Sequence, residues 1–389
     1  MKKELTAKEA ADILGVTPAT LYAYVSRGLL SSAAEGGARS KRYAHEDVLR
    51  LAARKADGKR AGHAASGAMH WGVPVLESRL TLIADGRLYY RGHDSGELAT
   101  HATLEETAAI LWGEMAAQAQ EHTQAAAAEP AFLPQLPPQA RALSKGLAPL
   151  ERAIALLPLL ARQAPDASPL LLMRMVAAVL LDVDVSAAPL HEQAARAFGI
   201  SGAGQDVLRA MLVLLADHEL NTSAFTVRCV ASTGASASAT LCAGLAALSG
   251  HEHGGEYLLV KQAMQAALAS PGGLSAMSLQ PMQHGFGHPL YPKGDPRAVC
   301  LLAHMRQAAL PGMDAIQALA QRAYATPGAE PTVDFALAAL EIVLNLPTRG
   351  VQALFALART AGWLAHAAEQ RAEGQQIRPR ARYVGKFVL

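Results

Sequence analysis

The sequence predicts a mainly α-helical chain with a short helical module at its start and one β-hairpin, on three observations. Hydrophobic residues make up 51% of the chain but aromatics only 5%. The core must therefore be built from Ala, Leu and Val, of which Ala and Leu are strong helix formers. Helix-start signatures recur, with Thr6 three residues before Glu9, Thr17 before Pro18, and Thr103 three residues before Glu106. Strand–helix alternation and the phosphate-cradling patterns G-x-G-x-x-G and G-x-x-x-x-G-K-[ST] are missing, which argues against a nucleotide-binding α/β body.

The first 55 residues read as a domain of their own. In "LTAKEAADILGVTPATLYAYVSRGLL" the Thr6–Glu9 capping box opens a helix whose apolar face is Ala10, Ile13 and Leu14, and Gly15 ends it. Thr17 caps a second helix with Pro18 at its first position, buried through Leu21 and Val25 and stopped at Gly28. The basic segment "ARSKRYAHEDVLRLAARK" then supplies a wing and a third helix. Residues 1–60 hold 12 Lys/Arg against 7 Asp/Glu, a net of +5, while the remaining 23 basic and 26 acidic residues net −3. A small basic module on a near-neutral body is a candidate for a polyanion contact. This spacing is similar to the winged helix-turn-helix of MerR- and excisionase-type domains, including the "RY..EDV" wording. On that reading DNA is a partner: the start of the second helix (Pro18, Thr20, Tyr22) enters the major groove, and Arg39, Lys41 and Arg42 neutralise phosphates. The plainer reading is a module for assembly or anchoring. Residues 56–70, small and polar, read as a linker.

From 71 to 389 the pattern is a helical body. "RLTLIADGRLYYRGHD" places two β-like runs around Asp85-Gly86, a two-residue hairpin signal. A capped helix starts at Thr103, the alanine-rich stretch 116–128 precedes a proline-studded loop at 130–138, and several apolar segments of helix length fill 150–250. Three scattered cysteines (Cys229, Cys242, Cys300) form neither a disulfide framework nor a zinc site. "MKKELTAKEA" has no apolar h-region, and the longest apolar run, "LLLMRMVAAVLL", is interrupted by Arg174. A cytoplasmic protein without membrane segments is expected.

The polar clusters in this body are few. They hold His218 ("DHELN"), His251 and His253 ("HEHGGE"), His284, His288 and Arg297 ("HGFGHPLYPKGDPR"), Asp334 ("TVDFAL"), Arg359 and His366 ("ARTAGWLAHAAEQ"), and Arg378, Arg380 and Arg382 ("IRPRARYVG"). Arginines bind carboxylates bidentately. Histidines donate to carbonyl or enolate oxygens or act as acid–base groups. A carboxylate among them can remove a proton alpha to a carbonyl. The inventory suits carbon–carbon bond formation on a di- or tricarboxylate. Each residue also has a plainer reading: His218 as a helix-end histidine, Arg297 as an ion pair with Asp295, Asp334 as a helix cap, His251 as a loop residue, and His366 and Trp363 as helix packing. Nothing near His251 and His253 completes a metal-ligand set, so no metal is expected.

In order and wording, these clusters resemble citrate synthase across some 320 residues: "GRLYYRGHDSGELA", "DHELNTSAFTVRCVAST", "HGGE", "GFGHPLYPKGDPRA", "TVDFAL", "LFALARTAGWLAHAAEQ" and "IRPRARYVG". The resemblance implies an all-helical homodimer with its site between a large and a small domain, taking oxaloacetate and acetyl-CoA or another acyl-CoA, with no separate cofactor. It gives His253 the enol, Asp334 the methyl proton and His288 the ketone. His218, Arg297 and Arg359 receive the oxaloacetate carboxylates, and Arg378 reaches the neighbouring subunit's site.

Three departures bear on substrate choice. Glu256 and Tyr257 follow His-Gly-Gly where the family has a small residue and Asn, and a carboxylate at ~5 Å from a substrate charge costs about 3 kcal/mol at an effective dielectric of ~20. Thr332 replaces Asn before Val-Asp, and Pro289-Leu290 follows His288. Propionyl-CoA is thus a second candidate substrate. The departures also fit a transcriptional regulator with a carboxylate- or acyl-CoA-sensing body, or an inactive paralogue that assembles with an active synthase.

Overall fold

The structure is a computed structural model and describes residues 4–26, 30–34, 41–45, 47–48, 51, 76–113, 133–269, 285–324 and 330–379. The chain divides into two compact units, Met1–Glu77 and Ser78–Leu389. The expected linker 56–70, the alanine-rich stretch 116–128, Gly28, Arg39, His284, Arg380 and Arg382 lie outside the described residues.

In the first unit, β1 (Glu4–Thr6), α1 (Ala7–Leu14), α2 (Pro18–Ser26), β2 (Ser32–Ala34) and β3 (Lys41–Ala44) follow one another. The Thr6–Glu9 capping box forms in both directions, and Gly15, at φ 59°, ends α1 in the left-handed conformation that favours glycine. Thr17 Oγ1 accepts from the Thr20 amide (3.3 Å) at the start of α2. The strands order β1-β3-β2, all antiparallel, so β2 and β3 make the expected wing. One expectation shifts: Ile13 is 39% exposed, and Ala11 joins Ala10 and Leu14 on the buried face. With Leu5, Leu21, Leu30, Tyr43 and Val48 they close a small core.

The second unit opens with a three-stranded antiparallel sheet, β4 (Thr81–Ala84), β5 (Arg87–Tyr90) and β6 (His93–Asp94). Asp85 and Gly86 turn β4 into β5 with both φ positive (52° and 73°), the geometry of a two-residue hairpin turn. Helices follow: α3 (Ser95–His101), α4 (Leu104–Trp112), α5 (Pro138–Leu143), α6 (Pro149–Ala161), α7 (Pro169–Leu181), α8 (Leu190–Phe198), α9 (Ala203–Leu214), α10 (Thr222–Ala231), α11 (Ala237–Leu248), α12 (Glu256–Ala269), α13 (Pro296–Gln307), α14 (Met313–Tyr324), α15 (Val333–Val343) and α16 (Gly350–Glu373). Among the described residues, no helix is long and apolar enough to cross a membrane. Arg174 does not interrupt α7; its Nη2 donates to the Ala187 carbonyl (3.0 Å).

Two devices hold the helices. The last carbonyls of a helix lack intrahelical partners, and here arginines from neighbouring elements supply them. Arg209 Nη1 donates to Ala102 beyond α3 (2.6 Å), Arg91 Nε to Leu111 in α4 (2.8 Å), and Arg152 to Val179 and Leu180 in α7 (both 2.8 Å). The second device is α16, buried at 19 of its 24 positions and packed against α4, α7, α10 and α11. It is rich in Ala, so neighbours approach closely. At Gly362 the approach is closest. Its N–H donates to the Ala216 carbonyl (3.0 Å), and a Cβ there would collide with Asp217 Oδ1 and stand 2.7 Å from Ala216 O.

Gly362→Ala must push α16 off the Ala216–Asp217 backbone. A loss of roughly 1–3 kcal/mol is expected, the range for overpacking a close-packed interior. It is read as a lower urea midpoint at unchanged slope.

Candidate active site

Four chain segments converge in the body upon α16, which carries Arg359. The first is the loop after α9. Tyr90, fully buried on β5, sets its hydroxyl within hydrogen-bond reach of the carbonyls of Val213 (3.1 Å), Leu214 (3.0 Å) and Asp217 (3.3 Å). Asp217 Oδ2 accepts from Thr81 Oγ1 (2.5 Å), and its Oδ1 faces His366 Nε2 (3.3 Å). The loop therefore projects His218, also buried, so that Nε2 meets Tyr291 Oη at 2.9 Å. Asn221 ends the loop by capping α10, its Oδ1 accepting the amides of Ser223 and Ala224 (both 3.1 Å).

The second segment reverses the chain between α11 and α12. The amides of His253 and Gly255 donate to the Gly250 carbonyl (3.2 and 3.1 Å), and that of Gly254 to Leu248 (3.1 Å). A Cβ on Gly254 would collide with the Leu248 carbonyl, so this glycine is required by the reversal itself. His253 Nε2 lies 2.9 Å from Ser223 Oγ. That hydroxyl donates its single proton to Asn221 Oδ1 (2.7 Å) and accepts from Trp363 Nε1 (3.1 Å). One lone pair is left, so His253 donates: its proton sits on Nε2.

The third and fourth segments are tied together. Residues 285–297 pair with those before α15: Thr332 N donates to Gly285 O and Gly287 N to Glu330 O (both 2.9 Å). His288 Nδ1 accepts from the Leu290 amide (3.1 Å), past Pro289, which leaves the neutral ring with its proton on Nε2. Arg297 forms a bidentate pair with Asp295, Nε to Oδ1 (3.0 Å) and Nη2 to Oδ2 (2.7 Å), both residues buried. The same Asp295 Oδ2 accepts the Val333 amide (3.0 Å), which places Asp334 beside the pair. Asp334 is not the helix cap; Thr332 holds that position, with its Oγ1 buried and without a hydrogen-bond partner among the described residues.

The rings and guanidiniums form one cluster. His218 and His288 stand edge to face at 5.6 Å, and Tyr291 lies 5.7 and 5.0 Å from them, with Arg297 Cζ 5.6 Å over its ring. On the other side Phe355 lies 6.4 Å from His253 and 5.0 Å from Arg359 Cζ. Burial dominates the electrostatics. It lowers His253 and His288 to about 4, helped by Arg359 and Arg297 respectively, and holds His218 well below 6.5. All three rings are neutral at pH 7. Burial, then the Glu256 carboxylate, raises Asp334 from 3.8 to about 7 against the pull of Arg297. Burial favours the neutral form of Asp217 as well, but His366 and Arg359 outweigh it and keep its pKa below 3.8. Burial also lowers Arg359 to about 10, and its Nε and Nη1 have no hydrogen-bond partner among the described residues.

The cluster thus holds His253, His288, Asp334, His218, Arg297 and Arg359. Arg378 is exposed and donates to the Pro379 carbonyl (3.2 Å); none of the contacts above runs to it. His251 is an exposed loop residue, while His366 is buried on α16 against Asp217. Trp363 is core, as expected, yet it also holds Ser223 and through it His253. Sequence reasoning missed Ser223, Asp217 and Tyr291. Their proximity to "DHELN" and "HPLY" was visible, but their partners were not. In the first unit Pro18 and Tyr22 (47%) are exposed, Thr20 half-buried, and Lys41 Nζ lies 5.8 Å over the Tyr22 ring. Arg42 is half-buried on β3. Among the described residues no group of three or more His, Cys, Asp or Glu is arranged to hold a metal ion.

A profile of the citrate synthase C-terminal domain matches residues 68–380. The chain belongs to the citrate synthase family. A helix-turn-helix domain profile matches residues 4–56. The chain is similar to Citrate synthase 2 of Bacillus subtilis (strain 168), 28% identical over 360 residues, covering 82% of this chain and 96% of that protein. It spans about half the length of other curated relatives it matches; with Putative citrate synthase 2 of Mycobacterium bovis it is 32% identical over 191 residues, 46% of this chain and 51% of the relative. Citrate synthase from Thermotoga maritima MSB8 superposes with a TM-score of 0.63 at 26% identity, covering 82% of this chain and 95% of that one.

The shifted groups make stability depend on pH with a definite sign. Between pH 4 and 6.5 the unfolded chain binds more protons than the folded one at His253 and His288, so they make stability rise with pH. His218 acts in the same direction. Asp334, raised from 3.8 to about 7, stabilises at low pH and loses that contribution as pH climbs through 7, so it opposes them. The histidines outnumber it. Urea midpoints are expected to climb from pH 4 to 6.5 and then level off, and Asp334→Asn should steepen the climb. Separately, Glu256→Gln should move the Asp334 titration below 7, read by carboxyl ¹³C shifts.

Proposed function

We propose that the body joins a short acyl-CoA to oxaloacetate to give citrate or its 2-methyl homologue and free CoA. One observation carries this reading: a carboxylate titrating near 7 stands with neutral histidines and two buried guanidiniums on five separate segments. A base of that affinity removes a weakly acidic carbon-bound proton better than an ordinary carboxylate. Asp334 takes the proton alpha to the thioester carbonyl. His253 turns its Nε2–H from Ser223 onto the enol oxygen, and His288 Nε2–H polarises the oxaloacetate ketone. The enol carbon attacks that ketone carbon, and water then cleaves the citryl-CoA thioester. Arg359, whose Nε and Nη1 have no hydrogen-bond partner among the described residues, is the strongest carboxylate ligand. Arg297 acts through the donors that Asp295 does not occupy, and His218 through its edge of the cluster. Fixed donors supply the charge stabilisation. The protein works as a homodimer in which Arg378 enters the partner's site.

The helix-turn-helix profile and the exposed Pro18, Tyr22 and Lys41 favour a second activity, duplex DNA binding.

With oxaloacetate present, thiol release from acetyl-CoA or propionyl-CoA is expected, rising with pH about a midpoint near 7 and falling at least about 100-fold in Asp334→Asn. The ratio of the two rates assigns the acyl chain, and no oxaloacetate-dependent release from either thioester overturns the synthase reading. For the first unit, log affinity for duplex DNA should fall linearly with log salt. Lys41→Ala and Arg42→Ala should each reduce the slope by about 1, and absence of binding at low salt removes the DNA reading.

A further inference from the structure

The chemistry above leaves one buried carboxylate unused. Glu341 lies on α15 seven residues beyond Asp334, with its side chain fully shielded from solvent. Its Oε2 accepts from Tyr257 Oη and from the Val351 amide (both 3.0 Å), and its Oε1 accepts from Lys261 Nζ (2.7 Å). Tyr257 and Lys261 belong to α12, which continues directly from the His253 reversal. Val351 is the second residue of α16, the helix that carries Arg359. One carboxylate therefore joins the three helices that bear Asp334, Arg359 and the chain next to His253.

An isolated buried carboxylate is costly, and only full pairing offsets the loss of water. Here Lys261 supplies the counter-charge, and the amide end of α16 adds a favourable dipole. Two of the three bonds come from α12, one helical turn apart, and the third from α16, so they fix the rotation of α12 about its own axis. Tyr257 is completely buried. It sits four residues after His253, and the amides of Glu256 and Leu258 bond back to His253 O (3.5 Å) and Gly255 O (3.1 Å). Rotation of the first turn of α12 is thereby transmitted to the His253 loop.

We infer that Glu341, through Tyr257 and Lys261, is a positioning residue that locks the His253 reversal against the Asp334 helix. The inference rests on the reading of His253 and Asp334 as the reacting pair. It also explains Tyr257, which the sequence singled out only as a departure.

Tyr257→Phe removes one bond and leaves Lys261 and Val351 on Glu341. Its kcat for oxaloacetate-dependent thiol release is expected to fall about 10-fold, since displacing a reacting group by a fraction of an ångström is costly. The oxaloacetate KM should stay within about twofold, because its ligands lie on other segments. Glu341→Gln should lower kcat further. In hydrogen–deuterium exchange of the unliganded protein, the amides of His253, Gly254 and Gly255 should exchange faster in Tyr257→Phe while those of α10 and α7 do not change. An unchanged kcat overturns the inference, as does exchange that is unaltered or accelerates uniformly across the body. If the unaltered protein shows no turnover, the synthase reading falls. The exchange pattern then decides the lock by itself: local acceleration supports it, and any other pattern overturns it.

Discussion

The body depends on removing charge from water and giving each buried charge a partner. Arg228, Arg297, Arg359, Asp217, Asp295 and Glu341 are all buried. A lone ion in such surroundings costs several kcal/mol, so each must be met by geometry that the fold has to supply. Arg228 meets Glu369, Gln370 and Glu373 on α16, Arg297 meets Asp295, and Asp217 meets Thr81 and His366. Arg359 is the exception, its Nε and Nη1 unmatched among the described residues. A fold that pairs its other buried ions this carefully marks the unmatched one as a place for an anion.

Pairing also separates the two arginines of the cluster. Arg297 shares its charge with Asp295, whose other work is to hold the Val333 amide. Arg359 shares Asp217 only at a distance, behind Gly362. The ion pair foreseen as the plainer reading of Arg297 is therefore real, and it does not remove the residue from the cluster, because Asp295 is what holds the Val333 amide and so seats Asp334 beside Arg297. Glu256 adds a further negative charge on the Asp334 side. The site is consequently less positive than its arginine count suggests.

Local signals were legible in the sequence because their partners lie within four residues. The capping boxes at Thr6 and Thr103, the turn at Asp85-Gly86 and the glycine stop at Gly15 all formed as read. The ordered polar clusters made the candidate residues legible too. What could not be read was how these residues are held. Thr81 and Asp217 are 136 residues apart, Tyr257 and Glu341 84, and Ser223 and Trp363 140. Nothing in a local pattern distinguishes Ser223 from any other residue after an Asn cap. Gly254 shows the converse: its identity was visible, but it serves the close approach to the Leu248 carbonyl.

The position of α16 in the chain has a kinetic consequence. It packs most heavily against α4, α7, α10 and α11, receives Tyr90's neighbours through Ala216, and closes the partner sets of Arg228, Asp217 and Ser223. Contacts of such long sequence separation carry their loop-closure cost before they return any stability. During synthesis the earlier helices must wait, with apolar faces and buried-ion precursors uncovered, until residues 350–373 emerge. The body is thus expected to reach its native packing late and in one cooperative step, with its early intermediates prone to association.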